Sequence, residues 1–193
     1  MDKKTSPPPP LHRVCLLGIT GAGKTTLARS WLSLPPIEHY SETIEEGHHI
    51  YRHEMLLLDT GGYDQTQKGY KEIIHSNIAA AEYFVLVCTP GKEHHLNAML
   101  SDVATMSTGQ FTGPRCVIAC YGFPEWIPPL IFTSLIIAIV NISTVAGRNS
   151  CLAVLKECWT QHPVMIAPAP KKQLMRQLSL RLSGSGMAGK NGK

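Results

Sequence analysis

The sequence predicts a three-layer α/β/α domain around a mostly parallel, six-stranded sheet. Two observations carry this. Short apolar runs alternate with helical patterns along most of the chain, and such alternation calls for crossover helices between parallel strands. Residues 18–25, Gly-Ile-Thr-Gly-Ala-Gly-Lys-Thr, complete the pattern G-x-x-x-x-G-K-[ST] between the first apolar run and the first helical one. Strand, glycine loop and helix in that order place a phosphate-binding loop at the carboxyl edge of a sheet.

The elements follow in order. Strands are predicted at 13–18, 48–53, 54–59, 83–89, 115–121 and 135–142. Helices are predicted at 24–33, 68–81, 92–107 and 148–160. The first strand, Arg-Val-Cys-Leu-Leu, is an apolar run of the kind buried on both faces. The first helix is read with Leu27, Trp31 and Leu34 on one stripe. A proline-rich tail at 1–10 precedes the domain, which spans 11–162. Residues 163–193 read as a flexible basic tail.

Composition bounds the function. The 193 residues suffice for one domain with a sizeable core, and 44% hydrophobic content is ordinary for a globular protein. The net charge of +4 is concentrated in the tail: residues 171–193 carry six basic side chains and no acid. The other 170 residues hold 12 basic and 14 acidic groups, so charge gives no argument for a nucleic-acid partner. Six cysteines without a CxxC pair read as reduced, buried residues of a cytoplasmic protein. No signal peptide and no spanning segment of about 20 apolar residues is evident.

The loop defines the ligand. Its glycines let successive N–H groups converge on a chain of phosphates. Lys24 adds a point charge, and the Thr25 hydroxyl suits Mg²⁺. A second piece lies at 55–62, Met-Leu-Leu-Leu-Asp-Thr-Gly-Gly. Asp59 at a strand end beside a phosphate loop is placed to hold the hydration shell of Mg²⁺. Gly62 lets a backbone N–H approach a terminal phosphate.

With these pieces the sequence resembles the Ras superfamily of small GTPases, a group of P-loop NTPases. Tyr-Ser-Glu-Thr-Ile-Glu-Glu at 40–46 looks like the effector loop, whose Thr43 would complete the Mg²⁺ shell. Asp59-Thr60-Gly61-Gly62 looks like the Asp-x-x-Gly motif, and Asn141-Ile142-Ser143-Thr144 like the last base-contacting loop. The resemblance implies that Gly18, Thr20, Gly21, Ala22, Gly23, Lys24, Thr25 and Thr26 surround the phosphates of GTP or GDP. It implies that Thr25, Thr43 and Asp59 (through water) hold Mg²⁺, that Thr43 and Gly62 touch the γ-phosphate, and that Ser143 and Thr144 lie at the base. Segments 38–48 and 60–70 would then be switches that meet effector and regulatory proteins.

Two positions depart from the pattern. Where the family carries Asn-Lys-x-Asp to read guanine, this chain has Tyr121, Gly122 and Pro124, with Glu125 one residue on. Where a Gln orients the attacking water, it has Tyr63, with Gln65 two residues later as the other candidate. Slow hydrolysis of GTP is the resulting expectation. The alternatives are a hydrolysis-deficient nucleotide-binding scaffold and a P-loop ATPase or kinase. The tail at 171–193 could contact an anionic membrane peripherally, and no lipid anchor is expected. Histidines at 48, 49, 53, 94 and 95 read as exposed side chains rather than zinc ligands.

Overall fold

In the computed structural model, residues 11–35, 47–51, 54–65, 69–106, 113–122 and 126–161 are described. They form β1 (His12–Leu17), α1 (Lys24–Trp31), β2 (Gly47–Tyr51), β3 (Met55–Asp59), α2 (Tyr70–Ala80), β4 (Tyr83–Cys88), α3 (His94–Met106), β5 (Cys116–Cys120), β6 (Ile136–Asn141) and α4 (Val145–Gln161). A 3₁₀ segment, Leu130–Leu135, precedes β6. The sheet order is β2-β3-β1-β4-β5-β6. Only β2 runs antiparallel, against β3; the other four pairings are parallel.

The strand sequences explain the burial. β4 and β5, and β1 from Val14 onward, are covered on both faces, so they read as apolar runs without alternation. Alternate residues nonetheless serve different layers. Val14, Leu16, Val85 and Val117 pack with Leu27, Trp31, Leu155 and Trp159 on one face. Cys15, Leu17, Phe84 and Ile118 pack with Ile74, Ile78, Leu96 and Leu100 on the other. All six cysteines are buried and none is in a disulfide.

Two helix boundaries differ from expectation for identifiable reasons. α1 stops at Trp31, because Ser33 takes φ 55° and the chain closes a Schellman turn: Leu34 N–H donates to Arg29 O at 2.9 Å and Ser33 N–H to Ser30 O at 3.3 Å. Leu34 therefore leaves the helical stripe and is exposed. α4 begins three residues earlier than predicted, because the Thr144 hydroxyl accepts the Gly147 N–H at 3.0 Å and caps it. Between β5 and β6, Pro128-Pro129 permits only the 3₁₀ segment, which buries Phe132 and leaves Ile127, Leu130 and Ile131 exposed. No helix among the described residues is long and apolar enough to cross a membrane.

Candidate functional site

β1 delivers the loop at 18–25 to the carboxyl edge of the sheet, where β3, β4, β5 and β6 also end. The loop's close fit demands glycine. A Cβ on Gly18 would lie 2.5 Å from the Val87 carbonyl oxygen of β4. Gly21 and Gly23 take φ 74° and 88°, the left-handed region that L-residues avoid. The turn is closed by Ala22 N–H to Ile19 O at 3.1 Å. Thr25 and Thr26 follow in the first turn of α1.

Lys24 is 6% exposed and folds back on the loop that carries it. Its Nζ donates to the carbonyl oxygens of Gly18 at 2.9 Å and Ile19 at 3.0 Å. Burial pushes its pKa down to about 8, although the carboxylates of Asp59 and Asp64 act to raise it. A buried ammonium held by backbone carbonyls is a strong attractor for an anion. Asp59, at the end of β3, is 2% exposed and lies within the electrostatic reach of Lys24. Its carboxylate and the Thr25 hydroxyl are hard oxygen donors, the set that suits Mg²⁺. Among the described residues no group of three or more His, Cys, Asp or Glu could hold a metal ion by itself.

The segment after β3 docks on the loop. Thr60 Oγ1 donates to Leu16 O at 2.6 Å, and Tyr63 N–H donates to Gly18 O at 2.9 Å. Gly62 lies so close to Thr20 that a Cβ there would collide with the Thr20 hydroxyl. Asp64 Oδ1 accepts both the Thr20 N–H, at 2.7 Å, and the Thr20 hydroxyl, at 2.9 Å. Burial acts to raise the Asp64 pKa, but the Thr20 hydrogen bonds outweigh it and hold the carboxyl below its ordinary value.

Tyr63 and Gln65 diverge. The Tyr63 hydroxyl donates to Asp102 Oδ2 of α3 at 2.6 Å, and burial together with that hydrogen bond pushes its pKa upward. Its phenol is thus committed to α3. Gln65 Nε2 instead makes a long contact, 3.5 Å, to Thr20 Oγ1 on the phosphate loop. An open cavity of about 450 Å³ between α2 and α3 is lined by Tyr63, Asp64, Gln65, His75 and Asp102.

The expected base-reading end is organised by Asn141. Its Oδ1 accepts the Gly122 N–H at 3.3 Å and the Ser143 N–H at 2.9 Å, which joins the β5 loop to the β6 loop. Arg148 adds a bond from Nη1 to Ile142 O at 3.2 Å and one from Nε to Ser30 Oγ at 3.1 Å. The structure therefore brings together Gly18 to Thr26, Asp59, Gly62 and Gln65, with Ser143 and Thr144 at the adjoining edge. Thr43, Pro124 and Glu125 lie outside the described residues, as do most of 38–48 and all of 171–193. The sequence assigns no role to Asp64 or Asp102, and it places Asn141 in the base-contacting loop without indicating that its side chain ties that loop to the one after β5. An acid directly after Asp-x-x-Gly-x is the available signal for Asp64; nothing local marks Asp102.

Comparison with known proteins adds the fold class. The structure of the Arl6 small GTPase from Trypanosoma brucei, with bound nucleotide analogue GppNp, is similar to this chain. The match has a TM-score of 0.54 and 14% identity, and covers 79% of this chain and 99% of that one. The fold is that of a small GTPase: a central parallel sheet with flanking helices and a phosphate loop after β1. No protein-family model and no curated protein matches the sequence.

Proposed function

We propose that this protein is a guanine-nucleotide switch of the small-GTPase type, which binds GTP or GDP with Mg²⁺ and hydrolyses GTP slowly. The observation that supports it most is the placement of Lys24, buried on its own glycine loop and within the electrostatic reach of the buried carboxylate of Asp59. In this reading the N–H groups of 18–26 and Lys24 bind the phosphates. Thr25, Thr43 and Asp59 hold Mg²⁺, which neutralises charge on the phosphate chain when bound. Thr43 and Gly62 sense the γ-phosphate, Ser143 and Thr144 lie at the base, and 38–48 and 60–70 present the nucleotide state to partner proteins. The protein acts in the cytoplasm, with peripheral contact of 171–193 to anionic membrane.

A hydrolysis-deficient scaffold is the second reading, favoured by one observation: the Tyr63 side chain is bonded to Asp102 rather than turned to the phosphate loop. The test is to purify the full chain, identify any nucleotide that accompanies it, and measure binding of GTP, GDP, ATP and ADP with Mg²⁺. Guanine preference with measurable single-turnover hydrolysis supports the first reading, and binding without turnover the second. Binding that survives Lys24→Ala would overturn both.

A further inference from the structure

The rim of the phosphate loop already holds an anion of the protein's own. In the nucleotide-binding reading the Thr20 N–H belongs to the run of loop donors open to a phosphate chain. Here it donates to Asp64 Oδ1 at 2.7 Å, and the Thr20 hydroxyl donates to the same oxygen at 2.9 Å. Gly62, the residue whose N–H faces a terminal phosphate in the switch reading, lies against the same two groups: a Cβ there would fall 2.8 Å from both Asp64 Oδ1 and Thr20 N. The carboxylate thus occupies the point where Gly62 meets the loop. It is held there on both sides, by Tyr63 N–H to Gly18 O at 2.9 Å, Tyr63 hydroxyl to Asp102 at 2.6 Å, and Gln65 N–H to Gly62 O at 3.2 Å.

We propose that Asp64 is a specificity-determining residue, whose carboxylate competes with the terminal phosphate for Thr20 and biases the site toward a nucleoside diphosphate. The proposal rests on the nucleotide-binding reading above. A diphosphate ends in the interior of the loop and leaves the Thr20 rim to Asp64. A triphosphate carries further negative charge to that rim, where a carboxylate already sits. Two anions cannot share the same N–H, so Asp64 must swing out. Its neighbours are bound in the same short segment, so its departure also strains the Tyr63–Gly18 and Tyr63–Asp102 bonds. Triphosphate binding therefore bears the cost of undocking residues 63–65, and diphosphate binding does not. The same competition would couple the nucleotide state to the α2–α3 cavity, since Tyr63, Asp64 and Asp102 line it.

The test measures dissociation constants of the full chain with Mg²⁺ for GDP, ADP and their β,γ-imido triphosphates, in wild type, Asp64→Asn and Asp64→Ala. The readout is the ratio of triphosphate to diphosphate constants for whichever base binds. In wild type the diphosphate is favoured. Both variants lower the ratio by roughly tenfold, within the usual range for coupling between sites. Asp64→Asn matters most, because it keeps the shape and an acceptor oxygen while removing the charge. Tight binding with a ratio unchanged in both variants overturns the proposal and leaves the nucleotide reading intact. No binding of any of the four ligands to wild type or variants overturns both.

Discussion

The ring of Tyr121 lies across Gly23. Its hydroxyl contacts the Gly23 carbonyl oxygen at 3.4 Å, and a Cβ added to Gly23 would fall 2.6 Å from ring atom Cε2. The residue that begins the loop after β5 is therefore packed on the phosphate loop itself, and Gly23 is required twice, once by its φ of 88° and once by the ring above it.

That double requirement makes Gly23→Ala informative. The left-handed backbone alone costs about 1–2 kcal/mol in a non-glycine residue, which lowers the Tm of a domain this size by roughly 3–6 °C. The overlap with Tyr121 adds to it. In a Tyr121→Ala background the steric part vanishes and the backbone part remains, so a double-mutant cycle by thermal denaturation should show a favourable coupling between the two substitutions. Strict additivity would mean that the ring does not rest on Gly23.

Lys24 predicts a pH dependence. Its folded-state pKa is lowered from 10.5 to about 8, chiefly by burial. Between those values the unfolded chain binds more protons than the folded one, so stability rises with pH across that window. Below it, the folded protein carries a buried ammonium at a cost. Lys24→Met should abolish phosphate binding, yet leave the nucleotide-free protein at least as stable at pH 7. It should also remove much of the rise between pH 8 and pH 10. Urea midpoints at both ends of the window check this, and a variant that keeps the full rise would assign it to other groups.

Much of this architecture was legible in the sequence, and for a physical reason. Strands buried on both faces must be apolar throughout, so β1, β4 and β5 stand out as runs. The loop at 18–25 announces itself because few residue types satisfy both its backbone angles and its close approach to Val87. What was not legible depends on partners remote in sequence. Asp64 meets Thr20 across 44 positions and Tyr63 meets Asp102 across 39. A side chain's aim at such a distance is decided by packing, which no local pattern records. The early end of α1 has a different cause: Ser33 adopts the left-handed conformation that a glycine would have signalled.

Glu82 anchors the opposite edge of the sheet and predicts acid sensitivity. It is fully buried in the turn before β4 and accepts hydrogen bonds from Arg13 Nε at 3.2 Å and Nη2 at 3.1 Å, and its Oε2 lies 3.5 Å from His12 Nδ1. Burial acts to raise its pKa, but His12 and Arg13 outweigh burial and hold it below the ordinary 4.5. A depressed carboxylate contributes stability that is present above the unfolded pKa and lost as pH falls through the folded one. Glu82→Gln should cost about 2 kcal/mol at pH 7. The difference from wild type should shrink below pH 4.5, as the wild-type carboxyl is protonated. A gap between the two proteins that stays constant down to pH 3 would contradict the pairing.

Tyr63 tests the catalytic side of the nucleotide reading. Its phenol is bonded to Asp102 at 2.6 Å, and Gln65 reaches Thr20 only at 3.5 Å, so neither is set to orient a water beside the phosphate loop. Tyr63→Gln supplies an amide at the position after Gly62 and removes the bond to α3 in one step. Single-turnover GTP hydrolysis should rise by roughly tenfold or more, the scale of one well-placed group in proton or water positioning. Tyr63→Phe separates the two effects, since it breaks the Asp102 bond and adds no amide. If Tyr63→Phe accelerates hydrolysis as much as Tyr63→Gln, the restraint on the segment controls the rate and Gln65 is the group released. If only Tyr63→Gln does so, the missing amide is the cause. If neither changes the rate, hydrolysis is not governed from this position, and the scaffold reading gains at the expense of the switch.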